Sequence, residues 1–246
     1  MLNGLSLFSG IGGLDVALSE WVRPIAMCEI DPYCQAVLLS RMATGDLVHA
    51  PIWDDIKTLR IRPQEVDIDI IFGGFPCQDI SIAGLGKGLE GERSGLFFEI
   101  LRLASEIKPH FIFLENVPAI TSRGGVQIIE SLTNIGFQCR WIVKDAREEG
   151  APHIRKRWYC LAYSNSESSI ETDKSAKSFT NEERTWLRPS RQDRRNLSRT
   201  YWKENKSPIF GVDDGIPFRL DRARALGNSV CIEQTREAFK ELIGLD

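Results

Sequence analysis

The sequence predicts a doubly wound α/β domain. Three observations carry this prediction. Short β-rich runs alternate with helix-like stretches from the N-terminus onward, no fixed-period repeat is visible, and a glycine-rich turn joins the first strand directly to the first helix.

Taken in order, residues 5–8 read as the first strand and 14–21 as an amphipathic helix, with 24–30 the second strand and 32–42 the next helix. A short third strand falls near 48–52. The apolar run at 67–72 is a buried strand that ends at Gly73-Gly74, and 96–107 follows as a helix. Residues 111–114 give another strand and 125–134 another helix, and 137–143 with 157–163 form a final pair of strands. Residues 233–242 read as a closing helix.

A chain of 246 residues that is 42% hydrophobic and 26% charged can bury a sizeable core. No apolar run approaches the length of a membrane span, and the start Met1-Leu2-Asn3-Gly4 lacks the basic segment of a secretory signal. A soluble, cytoplasmic protein without membrane attachment is expected, and nothing marks an apolar interface, so a monomer is expected as well. The six cysteines stand without any C-x-x-C pair, which argues against a disulfide framework and against a thiolate metal site. A net charge of −3 excludes a protein that grips nucleic acid by bulk basicity, but leaves open a local basic face.

Composition changes at Ser164. From there to about Lys206 apolar periodicity is lost and Ser, Asn, Thr, Arg and Glu dominate, as in a small lobe or an insert. Within it Arg184, Arg188, Arg191, Arg194, Arg195, Arg199, Lys203 and Lys206 face only Asp193 and Glu204 in acidic charge, with Trp186, Tyr201 and Trp202 interspersed. A solvated charged loop and a phosphate-contacting surface both fit that pattern.

The turn Phe8-Ser9-Gly10-Ile11-Gly12-Gly13 lets backbone N–H groups approach a ligand at a helix N-terminus. Its spacing is not the G-x-G-x-x-G of dinucleotide enzymes. Glu29, at the end of the second strand, can accept both hydroxyls of a ribose. Asp55 with Ile56, after the third strand, can accept an adenine amine and cover the ring. Each acid alone reads as a surface group; in series at successive strand ends they suggest an adenosine-containing ligand.

Cys77 sits in the glycine- and proline-rich loop Gly73-Gly74-Phe75-Pro76-Cys77 just past a buried strand, where ligands bind in open α/β sheets. A cysteine there is a nucleophile candidate rather than core filling. Glu115-Asn116-Val117-Pro118 places a carboxyl at another strand end, able to face the same site if the strands are neighbours. In 152–157, Arg155 and Arg157 share a strand face and can orient an acid or hold an anionic backbone, unless they mark an ordinary solvated edge.

Phe8-Ser9-Gly10-Ile11-Gly12-Gly13-Leu14, Phe75-Pro76-Cys77-Gln78, Glu115-Asn116-Val117, the Arg155-x-Arg157 strand and Ala225-Leu226-Gly227-Asn228-Ser229-Val230 stand here in the order and spacing of the C5-cytosine DNA methyltransferases. The chain resembles compact bacterial and prophage members of that family over nearly its whole length, except 164–206. The resemblance implies a Rossmann-like methyltransferase domain at 1–163, a target-recognition lobe at 164–217 and a C-terminal segment at 218–246 that packs back on the first domain. It implies S-adenosylmethionine as cofactor, held by Phe8, Ser9, Gly10, Gly12, Gly13, Leu14, Glu29, Ile30, Asp55, Ile56, Pro76, Leu96, Asn228, Ser229 and Val230. Cys77 would be the nucleophile and Glu115 the acid, with Asn116, Arg155 and Arg157 completing the catalytic set and no metal needed.

It further implies double-stranded DNA with a flipped target cytosine as substrate. Gln78, Ser81 and Arg93 of the 78–94 loop and Arg184, Arg188, Arg191, Arg194, Arg195 and Arg199 of the lobe are assigned to DNA. A companion restriction endonuclease is left open. Departures from the family pattern bear on target choice more than on chemistry: His153 stands in place of the family's glutamine, Cys231-Ile232-Glu233 in place of a proline-containing run, the arginine-bearing motif that often precedes that run is not found, and the recognition segment is short. An RNA cytosine methyltransferase and a catalytically silent nucleic-acid-binding homologue remain the alternatives, with a small-molecule methyltransferase third.

Overall fold

The computed structural model describes residues 1–62, 64–76, 95–164 and 225–245. They form one seven-stranded sheet. In chain order its strands are β1 (Leu2–Leu7), β2 (Val22–Cys28), β3 (Ile52–Trp53), β4 (Ile70–Gly74), β5 (Phe111–Asn116), β6 (Phe137–Asp145) and β7 (Lys156–Ser164). The spatial order is β3-β2-β1-β4-β5-β7-β6. The first five run parallel, and β7 pairs antiparallel with both β5 and β6. The helices are α1 (Gly13–Leu18), α2 (Pro32–Ala43), α3 (Gly95–Ile107), α4 (Ile120–Arg123), α5 (Gly125–Asn134) and α6 (Ile232–Ile243).

Central strands covered on both faces must be apolar throughout, and every residue of β5 is buried. Alternation then sorts its side chains. Ile112 and Leu114 join Leu5, Leu7, Ile71 and Cys160 in the core under α3 and α5. Phe111 and Phe113 join Phe72, Tyr159 and Leu161 in the core under α1 and α6. In α3 the buried residues Phe97, Ile100, Leu103, Ala104 and Ile107 recur at three- and four-residue spacing, the stripe of a helix lying on a sheet. In α6 the stripe is Thr235, Ala238, Phe239, Leu242 and Ile243, and Phe239 meets the edge of Phe113 at 5.1 Å. Asp31 starts α2 by accepting the N–H groups of Tyr33 and Cys34, with Pro32 at the first helical position.

The sequence elements are recovered with shifts at their ends. The first strand starts at Leu2, because Leu2 to Gly4 already pair with Val22 to Pro24. The third strand shrinks to Ile52–Trp53. Gly73 and Gly74 lie inside β4 rather than beyond it. A Cβ on Gly73 would stand 2.3 Å from the carbonyl oxygen of Leu7, so only glycine permits this approach of β4 to β1. The helix α4 and a 3₁₀ turn at Ala146–Glu149 had no counterpart in the sequence reading.

Since β2 and β3 extend to one side of β1 while β4 and β5 extend to the other, the strand order reverses between β1 and β4. Ligands of open α/β sheets bind at the carboxyl ends of the strands flanking such a reversal. A cleft of about 510 Å³ opens there.

Candidate active site

On one side of the cleft, β1 feeds into the glycine loop. Phe8, Gly10 and Gly12 all have positive φ, 53°, 54° and 82°, which brings the chain round within one short turn onto α1. Glu29, at the end of β2, lies against that loop. Its Oε2 accepts the N–H of Gly10 at 2.7 Å and its Oε1 accepts the N–H of Asp31 at 2.8 Å. Each oxygen keeps a further acceptor position. Below the loop, Ser6 Oγ donates to Asp15 Oδ2 at 3.1 Å and stands 2.9 Å from Ser9 Oγ. Asp15 is enclosed, and burial pushes its carboxyl up to about 6. Its Oδ1 has no hydrogen-bond partner among the described residues.

The opposite side is built by the ends of β4, β5 and β7. Glu115 is 8% exposed and pairs in register with Gly74 on one side and Tyr159 on the other. Arg157 Nε lies 2.8 Å from Glu115 Oε1. Burial raises the Glu115 carboxyl above its ordinary range, and the cations of Arg157 and Arg155 offset part of that rise. Next to it, buried Asn116 donates from Nδ2 to the carbonyl of Phe75 at 2.9 Å and accepts the N–H of Val117 on Oδ1 at 2.8 Å. The ends of β4 and β5 are thereby tied together.

The C-terminal segment supplies the remaining wall. Residues 225–228 form a helical turn, and Ala225, Gly227, Asn228, Ser229 and Val230 line the cleft. A Cβ on Gly13 would stand 2.9 Å from Ser229 Oγ and 3.0 Å from Val230 Cγ2, so the start of α1 and this late segment are in close contact.

One cleft thus holds an acid-lined glycine loop and a buried carboxyl–guanidinium pair. The model of the C-5 cytosine-specific DNA methylases matches residues 2–210. The chain belongs to this family. It is 30% identical over 97% of its length to the type II methyltransferase M.CviJI of Paramecium bursaria Chlorella virus IL3A, and covers 58% of that protein. To M.HhaI of Haemophilus parahaemolyticus it is 32% identical over 67% of its length, covering 50% of that protein. The chain therefore spans little more than half the length of these curated relatives. Among solved structures, a DNA modification methyltransferase encoded within an E. coli prophage superposes with a TM-score of 0.55 at 26% identity, over 68% of this chain and 47% of that one. The S. pombe Dnmt2 methyltransferase gives 0.54 at 24% identity, over 69% of this chain and 53% of that one, a likeness of fold.

Of the residues assigned to the methylase cofactor, Phe8, Ser9, Gly10, Gly13, Leu14, Glu29, Ile30, Asp55, Ile56, Pro76, Leu96, Asn228, Ser229 and Val230 all line the cleft. Gly12 does not. Its Cα faces Leu47 and Leu38 of the α2 core, where a Cβ would come within 2.7 Å of Leu47, so its role is to let the loop pack. Glu115, Asn116 and Arg157 also line the cleft. Arg155 is near enough for its charge to act on Glu115, but Arg157 alone of the two is in direct ion-pair contact with it. Arg155 precedes β7, and its guanidinium donates to the carbonyls of Gly227 and Ser229. Cys77, Gln78, Ser81, Arg93, Arg184, Arg188, Arg191, Arg194, Arg195 and Arg199 lie outside the described residues. Asp31, Asp54, Gly74 and Phe75 line the cleft without having been singled out. The strand-end position of Gly74 and Phe75, just before Pro76-Cys77, was a usable signal.

No helix among the described residues is long and apolar enough to cross a membrane.

Proposed function

We propose that this chain carries the cofactor-binding and catalytic parts of a DNA (cytosine-5)-methyltransferase that uses S-adenosylmethionine. The single observation that carries the reading is the buried Glu115–Arg157 pair facing the Gly10–Glu29 loop across one cleft. The cleft volume suits a cofactor of that size, since small-molecule sites run roughly 300–1,000 Å³. Its chemistry suits the same molecule. Glu29 and Asp55 offer acceptors for ribose hydroxyls and an adenine amine, Ile30 and Leu96 offer apolar cover, and the start of α1 borders it.

The cofactor supplies a methyl group already activated on a sulfonium. Carbon 5 of cytosine is too electron-poor to take it unaided. In the proposed reaction the Cys77 thiolate adds to carbon 6, which gives carbon 5 enamine character. Glu115 holds a proton at N3 as the ring gains electron density, and the burial that raises its pKa favours the protonated form needed there. Arg157 fixes the orientation of that carboxyl. Asn116 holds Phe75, two residues before Cys77 in the chain. After methylation, a water molecule takes the carbon 5 proton, Cys77 leaves carbon 6 as thiolate and N3 returns its proton to Glu115, which releases the product. The target base must leave the duplex stack to be reached. The 164–217 segment, with its arginines and aromatics, is proposed as the target-recognition lobe, and the protein is proposed to act as a monomer.

Base-resolution 5-methylcytosine sequencing of a methylation-free bacterial host expressing the protein, beside a Cys77→Ala control, tests the reading. Methylation confined to one short context and absent from the control is the expected result. An unmethylated genome despite folded protein overturns the DNA assignment and makes RNA the next substrate to test.

A further inference from the structure

Arg155 and Arg157 stand two residues apart, yet their side chains serve different walls of the cleft. Arg157 meets the acid. Arg155 reaches the late segment, with Nη1 and Nη2 each 3.3 Å from the carbonyl oxygen of Gly227 and Nη2 also bonded to that of Ser229. These carbonyls lie at the end of the 225–228 turn, where Ser229 N–H closes back on Ala225. Carbonyls at a turn's C-terminal end lack internal donors, and a cation there is favoured. Asn228, which lines the cleft, lies between the two carbonyls that Arg155 holds.

The arginine is itself held from behind. Its N–H donates to Asp145 Oδ1 at 3.4 Å, and its carbonyl accepts Gln234 Nε2 at 2.7 Å. Gln234 is fully buried in the first turn of α6, and its Nε2 also donates to the carbonyl of Lys144 at 2.8 Å. An unbroken set of contacts therefore runs from the packed face of α6 through Arg155 to the wall beside Gly13.

We propose that Arg155 is a positioning residue for the cofactor, fixing Asn228, Ser229 and Val230 against the glycine loop while Arg157 makes the direct ion pair with the acid. The inference rests on the cofactor assignment above. A guanidinium is suited to the task because its planar fork can meet two carbonyls at once, whereas a lysine reaches one point.

The test is calorimetric titration of S-adenosylhomocysteine into the full chain, paired with steady-state kinetics and melting temperatures. Arg155→Ala is expected to weaken binding about tenfold or more, as loss of the charge-assisted contacts to two carbonyls implies, with Arg155→Lys recovering about half of that in logarithmic terms. KM for the cofactor should rise in parallel, and kcat at saturating cofactor should fall by a smaller factor. Arg157→Ala should show the opposite split, a lost kcat with affinity nearly intact. If Arg155→Ala does not fold, Arg155→Lys carries the measurement, and wild-type affinity in a folded Lys variant with wild-type kcat overturns the proposal. A folded Arg155→Ala with unchanged affinity and collapsed kcat also overturns it, placing Arg155 with the acid. Failure of the wild-type chain to bind S-adenosylhomocysteine would overturn the cofactor assignment itself, a result distinct from either.

Discussion

A methyl group on Gly74 would sit 2.8 Å from Oε2 of Glu115. The glycine's missing side chain is thus the space in which the acid's second oxygen rests, while its first is held by Arg157. Gly74→Ala should displace the carboxyl with little damage to the sheet, since the obstructing atom is the end of a side chain. Methyl transfer is expected to fall by about 100-fold, the usual cost of a misplaced catalytic group, with a small change in melting temperature. Gly73→Ala is the contrast. Its Cβ would meet the backbone carbonyl of Leu7, which cannot rotate away, so loss of folded protein in thermal melts is expected.

Arg157 pulls the Glu115 carboxyl down against the rise caused by burial. Arg157→Met removes that pull, so the carboxyl should hold its proton to a still higher pH. With the protonated acid serving N3, rate falls as pH rises through its pKa. The alkaline limb of kcat/KM against pH should therefore shift upward in the variant, while kcat drops by about 10- to 100-fold. An unshifted limb would separate Glu115 from the titration.

Asp15 behaves oppositely to a salt-bridged carboxylate. Its pKa in the folded chain is raised from 3.8 to about 6, so the folded state binds the extra proton and stability falls as pH rises between those values. Above pH 6 the full penalty is present, roughly 3 kcal/mol at most. Asp15→Asn should raise the melting temperature at pH 8, where the penalty is relieved, and give no gain at pH 4. Equal gains at both would show that the Asp15 pKa does not differ between the folded and unfolded chain.

Asn116 joins two loops with one amide. Asn116→Asp keeps an acceptor for Val117 N–H but sets a carboxylate oxygen against the carbonyl of Phe75, whereas Asn116→Ala only removes the tie. Covalent trapping on a 5-fluorocytosine duplex should be slowed by Ala and slowed more by Asp. The reverse order would mean that the tie to Phe75 does not govern delivery of Cys77.

Much of this arrangement was legible from local pattern. The apolar runs at 67–72 and 111–114 read as buried strands, and the loops after them meet because those strands are neighbours, although the first of the two begins only at Ile70. Glu29, Glu115 and the glycine turn followed from their places at strand ends. The divergence of Arg155 from Arg157 was not legible, because it depends on where β7 begins and on a carbonyl pair far along the chain. Gly12 looked like a ligand glycine for the same reason: its packing partner Leu47 comes from beyond α2, outside any local window. The burial of Asp15 was not legible either, since its enclosure beside Ser6 under the loop is a tertiary fact.

The contact of Gly13 with Ser229 and Val230 also joins two parts of the chain that are far apart in sequence. The glycine loop comes far earlier in the chain than the wall that completes it, and that wall comes with the helix carrying Ala238, Phe239, Leu242 and Ile243. Without that helix Phe72, Phe113 and Tyr159 lack their cover on that face of the sheet. Docking of this one segment therefore covers that face of the sheet and closes the cleft wall together.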